Sequence, residues 1–159
     1  MLDWDHIGKY RENNRLEAKK AQGGLPHSIW ETYSAFANTH GGLILLGVIE
    51  NEDKSFSSVP LADPEQLVEE FWSVLNRPGV VSANILENED VCVVESGGNR
   101  IVVIENPRAG KKDRQVYIGT DPYSGSYQRS GEGDYRIPAD QVLEMLEEQE
   151  KEKNALLGV

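Results

Sequence analysis

The sequence predicts an α+β fold, a mixed β-sheet flanked by helices, and three observations carry that prediction. Two segments repeat apolar residues at helical spacing, first Ile29, Tyr33, Phe36 and Ala37, then Leu67, Phe71, Trp72 and Leu75. Short runs rich in β-branched residues, Leu43 to Ile49, Val91 to Glu95 and Ile101 to Glu105, are bounded by Gly, Asn and Ser. Helices and strands are interspersed without a strict strand–helix–strand beat, which favours α+β over a doubly wound sheet. With 159 residues the chain fits one domain, spanning 1–159.

Each element has a local reason. Residues 1–14 read as a short polar helix or arm, and Arg15 to Ala21 as a strand, although Glu, Lys and Ala are poor strand formers. Gly23-Gly24-Leu25-Pro26 is a loop whose proline suits the first turn of the helix through Ile29 and Ala37. Gly41-Gly42 ends that helix, because glycine tolerates positive φ. Leu43 to Ile49 follows as one continuously apolar strand, expected to be covered on both faces. Asn51 to Ser55 is a turn, and Asp63-Pro64-Glu65 opens a helix over 64–76. Ser96-Gly97-Gly98-Asn99 joins the next two strands as a hairpin. Val116 to Ile118 and Ser126 to Arg129 read as short strands, and the last helix starts near Pro138 with Val142, Leu143 and Leu146 toward the core.

Composition excludes several classes. The longest apolar run is interrupted by Gly47 and is too short to span a bilayer, and no secretory leader is readable at the N-terminus. One cysteine, Cys92, forms no internal disulfide, so a cytoplasmic setting is expected and Cys92 is read as a packing residue. No phosphate-loop motif, zinc spacing or Gly-x-Ser-x-Gly is present, and His6, His27 and His40 are scattered, with only His40 beside the glycine pair. The charged stretch near the C-terminus suggests one module of a longer protein.

Three constellations can carry chemistry. The first is Glu12, Glu17 and Lys19 in RENNRLEAKKA, where carboxylates can hold a divalent metal and the amine can face a phosphate. The competing reading is ordinary surface charge. The second is the helix–GlyGly–strand junction from Ser34 to Glu50. There Asn38 is expected to cap backbone groups, and Glu50 is either a third acid or a turn residue. The third is Arg108, Lys111, Lys112 and Arg114 in one loop, followed by Tyr127 and Arg129, which suit phosphate contact and base stacking.

RLEAKKAQGGLP, SAFANTHGGLILLGVIE and VYIG…GSYQRSGEGDYRIP together resemble the Schlafen AlbA_2 domain, from about Glu12 to Leu146. That resemblance implies an α+β nucleic-acid-binding module of bacterial and archaeal transcriptional regulators, commonly followed by a winged-helix or helicase-like region. The ATP-binding label once given to the family finds no phosphate loop here. In the RNA-cleaving Schlafen proteins three acids form the nuclease site. The resemblance places two of them at Glu12 and Glu17, the family's basic residue at Lys19, and the third at Glu50, with Glu52 and Asp53 as rivals.

The net charge of −11 does not exclude a polyanionic partner, because it is uneven. Residues 31–106 carry 13 acidic and three basic groups, and residues 139–159 six and two, whereas 1–30 are net +1 and 107–138 net +2. The basic segments Lys9 to Lys20 and Arg108 to Arg136 are therefore expected to meet on one face. The leading expectation is a nucleic-acid-binding domain, for DNA or RNA, using Lys19, Lys20, Arg108, Lys111, Lys112, Arg114, Tyr127 and Arg129. The alternatives are a Mg²⁺- or Mn²⁺-dependent endonuclease using Glu12, Glu17 and Glu50 with Lys19, and a protein-interaction module. A homodimer paired at the sheet edge near Gly97-Gly98 is a further expectation.

Overall fold

A computed structural model describes residues 2–158 of the chain. Its centre is a four-stranded sheet: β1 (Leu16–Lys19), β2 (Gly42–Leu46), β5 (Val91–Ser96) and β6 (Asn99–Asn106), in the order β1-β2-β6-β5. β1 and β2 run parallel and the other pairs antiparallel. The parallel pair needs a crossover, and α1 (Ile29–Asn38) supplies it. Nine of the ten α1 residues are buried, because the helix has the sheet on one side and the hairpin of β7 (Tyr127–Ser130) and β8 (Gly133–Arg136) on another.

Strand alternation sorts the apolar residues into two cores. Ile44, Leu46, Val102 and Ile104 face α1 and α2 (Pro64–Leu75), where Trp30 stacks on Phe71 with ring centroids 5.4 Å apart. Leu45, Ile101 and Val103 face the other way, under Ile7 from a 3-10 turn over Trp4–Lys9 and Phe56 from β4 (Phe56–Ser58). The sheet is mixed and covered on both faces, so the α+β expectation is met.

Several details differ from the sequence reading. The run Leu43 to Ile49 is two strands, because Gly47 at φ +92° turns the chain out of the sheet. β3 (Val48–Glu50) then pairs with β4 instead. A side chain at 47 would come within 2.9 Å of Leu61. The strand expected over Arg15 to Ala21 is shorter, since Ala21 has φ 55°. Val116 to Ile118 makes only single bridges, Tyr117 to Ser126 and Ile118 to Val81. A one-turn helix, α3 (Pro122–Gly125), follows Asp121, which accepts from the Tyr123 backbone N–H. In α4 (Ala139–Leu156) Val142 is buried but Leu143 is 49% exposed, because the face toward the body runs through Val142, Met145, Leu146 and Gln149 at helical spacing and Leu143 lies beside it. Cys92 is exposed rather than packed. Val94, two residues along on the same face, reaches the second core and Cys92 lies outside it.

Asn38 does more than end a helix. Its Nδ2 donates to the carbonyls of Val116 (2.8 Å) and Tyr127 (3.0 Å), and its Oδ1 accepts from the Val116 N–H (2.7 Å). Ser34 Oγ donates to the same Val116 carbonyl and accepts from the Tyr127 N–H. One turn of α1 thus stands in for a neighbouring strand to chain that has no ladder of its own. Asn38→Leu orphans these buried groups and lowers the unfolding free energy by about 3 kcal/mol, measured by urea denaturation. A change under half that size means the 116–127 segment does not depend on Asn38.

Candidate functional site

The residues before β1 fold back along its outer edge. Arg15 and Lys19 turn their carbonyls to β2, accepting from Leu43 and Gly47, so Leu16 and Ala18 face outward. Leu16 exchanges backbone bonds with Asn13, and the Ala18 N–H donates to Glu12 Oε2 at 3.0 Å. That bond fixes the Glu12 carboxylate beside β1.

Two further carboxylates meet it there, Glu50 from the end of β3 and Glu132 from the β7–β8 turn. One oxygen from each of the three lies within 4.8 Å of the others. Burial pushes the Glu12 carboxyl up to about 7, the negative charges of Glu17 and Glu50 push the same way, and the Ala18 N–H opposes them. Three carboxylate oxygens this close form the hard donor set that Mg²⁺ or Mn²⁺ takes.

Glu17, expected as the second acid, is turned to cations instead. It pairs with Arg129 at 2.9 Å and Lys19 at 3.4 Å. Lys19 Nζ also donates to Ser28 Oγ at 3.0 Å, and its side chain is only 9% exposed. The structure therefore brings Glu12 and Glu50 together, keeps Glu17 beside them on β1 within an ion-pair network, and adds Glu132. Glu132 was missed because it sits in a Gly-Glu-Gly turn ahead of a strand, β8, that has no apolar run. Of the rivals to Glu50, Asp53 accepts from Ser55 within the β3–β4 turn and Glu52 is exposed.

Two residues expected to touch nucleic acid are internal, and that expectation is corrected. The Arg129 side chain is 1% exposed and is committed to Glu17, to Asp134 at 2.7 Å, and to the carbonyls of Asn13 and Leu16. Tyr127 is 8% exposed and its backbone is held by α1. Arg129 presents no group to a phosphate, and Tyr127 offers little ring surface to a base.

The remaining basic residues divide between the two ends of α1. Lys19 and the exposed Lys20 lie near its start, whereas the loop 108–114 is tied to its end by the Ala109 N–H donating to the Ala37 carbonyl (2.8 Å). A ten-residue helix separates the two by about 15 Å. The two basic segments thus meet only in part, at Arg129 on β1 and where Arg15 and Arg108 line one cleft beside His40, Asp90 and Glu105. Among the described residues no ion pair holds Arg15, Arg108, Lys111 or Lys112, all exposed. Arg114 folds back on the Ala109 carbonyl, and burial with the nearby Arg108 charge lowers its pKa. No helix among the described residues is long and apolar enough to cross a membrane.

Comparison with known proteins agrees with this architecture. The solution structure of the N-terminal domain of a Nitrosomonas europaea protein, described as related to the ATP-dependent DNA helicase RecG, superposes with a TM-score of 0.61. It is 28% identical, with 84% of this chain and 89% of that chain covered. The crystal structure of the DIP2311 protein from Corynebacterium diphtheriae gives a TM-score of 0.54 at 16% identity, covering 86% of this chain and 24% of that one. Curated protein sequences give no match. The family model "Schlafen, AlbA_2" matches residues 12–138, and on that match the chain belongs to the Schlafen AlbA_2 family.

Proposed function

We propose that the chain is a nucleic-acid-binding domain of a cytoplasmic transcriptional regulator, one module of a longer protein, and that it holds phosphates at the C-terminal end of α1. The carrying observation is the group of exposed cations there that make no ion pair among the described residues: Arg108, Lys111 and Lys112 on the loop, and Arg15, which lines one cleft with Arg108. Cations that make no ion pair within the chain are free to meet an anionic partner, and they act locally whatever the net charge. Family membership and the neighbour named for a DNA helicase support the reading. The expected result for the triple change of Arg108, Lys111 and Lys112 to Ala is at least a tenfold loss of affinity at 0.1 M salt. The slope of log K against log salt should fall by about three, measured by fluorescence anisotropy with short DNA and RNA strands. Unchanged affinity and slope would favour the protein-interaction module instead.

The carboxylate trio favours a second reading, metal-dependent cleavage of the bound strand. Glu12, Glu50 and Glu132 would hold Mg²⁺ or Mn²⁺, and a cation bound there supplies charge stabilisation and an activated water to phosphodiester hydrolysis. Glu17 and Ser28 hold Lys19, which lies on the same strand as Glu17, and Glu12 must be deprotonated to serve as a ligand. On this reading Mn²⁺-dependent cleavage of structured RNA or single-stranded DNA drops at least a hundredfold in Glu12→Gln. Retained cleavage in that variant removes Glu12 from the chemistry.

Metal-free stability provides an independent check on the trio. The folded-state pKa of Glu12 is raised above the ordinary 4.5 to about 7. Its contribution is therefore fully present below pH 4.5 and is lost as pH rises through 7. Glu12→Gln escapes that loss. At pH 8 it should be more stable than the parent by roughly 1 kcal/mol, discounted because Glu12 is only half-buried, and the advantage should vanish near pH 4.5. Adding Mn²⁺ at pH 8 should raise the Tm of the parent alone. A pH-independent difference would show that Glu12 is not held in this half-buried position beside β1 in solution.

A further inference from the structure

The cleft at the C-terminal end of α1 has a volume of about 440 Å³, and Arg15, Arg108, Asp90 and Glu105 are among the residues that line it. Its walls are backbone in close apposition. A Cβ at Gly41 would lie 2.9 Å from the Asn106 carbonyl, and one at Gly42 2.8 Å from the Arg15 carbonyl. Opposite charges that share a cleft normally collapse into ion pairs. Here none of these four side chains is within 4.0 Å of an oppositely charged partner among the described residues. Cations and carboxylates thus share a cleft of small-molecule size without pairing. Asp90 Oδ2 accepts from the Glu87 N–H at 2.8 Å and is partly committed, whereas Glu105 is exposed and makes no side-chain hydrogen bond among the described residues.

A ligand that suits this lining carries both an anion and hydrogen-bond donors. We propose that the cleft seats a single unpaired nucleotide, with its phosphate on Arg15 and Arg108 and the amino edge of its base on Glu105 and Asp90. For a nucleotide within a bound strand this rests on the nucleic-acid reading above; for a free nucleotide it does not. The carboxylates make the site selective. Cytosine offers an exocyclic amino group that an Asp or Glu accepts from, whereas thymine and uracil present carbonyl oxygens there, which a carboxylate repels. The chemistry therefore specifies cytosine over thymine or uracil.

The test uses the full chain, labelled hexamers of dC and dT in fluorescence anisotropy, and free CMP and UMP in calorimetry. The expected result is dC hexamer binding about tenfold tighter than dT hexamer, a ratio that falls toward one in Glu105→Gln. Arg15→Ala should weaken both hexamers alike by about tenfold. Both substitutions are at exposed positions, and Asp90 is left intact because it caps the Asn88–Asp90 turn. If the hexamers bind equally and Glu105→Gln changes neither, the nucleotide cleft falls, while loss of binding in the Arg108, Lys111 and Lys112 variant keeps the nucleic-acid reading. If no strand binds but CMP binds ahead of UMP, the cleft stands as a free-nucleotide site and the strand reading falls. If neither strands nor nucleotides bind, both readings fall, and saturation by a free amino acid would reassign the cleft to a zwitterion.

Discussion

The buried guanidinium of Arg129 is the interaction on which the rest of the molecule depends. Its Nη2 reaches Glu17 and the Leu16 carbonyl, its Nη1 reaches Asp134, both Nε and Nη2 donate to the Asn13 carbonyl, and the group lies 5.0 Å from the Phe36 ring centre. Burial works against the charge, but bonds to Asp134 and Glu17 outweigh it and hold the pKa above the ordinary value. Such a cation is stable only while every donor is answered, and loss of one partner of a buried pair typically costs about 3–5 kcal/mol. One side chain thereby fixes the β7–β8 hairpin against both β1 and α1. The position of Glu132 beside Glu12 follows from that attachment, since nothing local to the Gly131–Gly133 turn would carry it there.

The electrostatic plan separates two kinds of surface. Around the outer edge of β1, burial raises the Glu12 pKa to about 7, and the charges of Glu17 and Glu50 push the same way. At the far end of α1, Arg15, Arg108, Lys111 and Lys112 make no ion pair among the described residues, and burial together with the Arg108 charge lowers the pKa of Arg114. Both arrangements are unfavourable for the isolated chain, in each case first through burial of charge and second through repulsion between like charges. Natural proteins tolerate such frustration where a ligand of opposite sign relieves it. The net charge of −11 describes neither surface, because much of the acid lies on α2, α4 and the loops between.

What could be read from the sequence is what short-range periodicity records. The α1 face at Ile29, Tyr33, Phe36 and Ala37, the α2 face, the Gly41-Gly42 drop into β2 and the Gly97-Gly98 hairpin are all local patterns, and all stand in the structure. The misreadings share a different cause. Arg129 bonds a residue 112 positions earlier in the chain and Asn38 bonds one 89 positions later, so a polar residue bound for the interior looks like any surface residue. Tyr127 and Arg129 resembled a binding pair for that reason. Gly47 was visible, but whether a glycine bends a strand or merely packs within it depends on Leu61, which no window around Gly47 contains. The candidate site was legible at Glu12 and Glu50 and illegible at Glu132 and Arg15, which lie outside any apolar pattern.

The hydrogen bond from the Ala18 N–H to Glu12 has a consequence for self-association. β1 is an edge strand, and an edge strand ordinarily offers a row of free backbone groups to any extended peptide. Here Leu16 is answered by Asn13 and Arg129, and Ala18 by a carboxylate. No strand can add at that margin without first dislodging Glu12, and the crowded negative charge behind it repels an acidic intruder. The segment that assembles the carboxylate cluster is thus also a guard rail, sealing one side of the sheet against sheet-to-sheet growth.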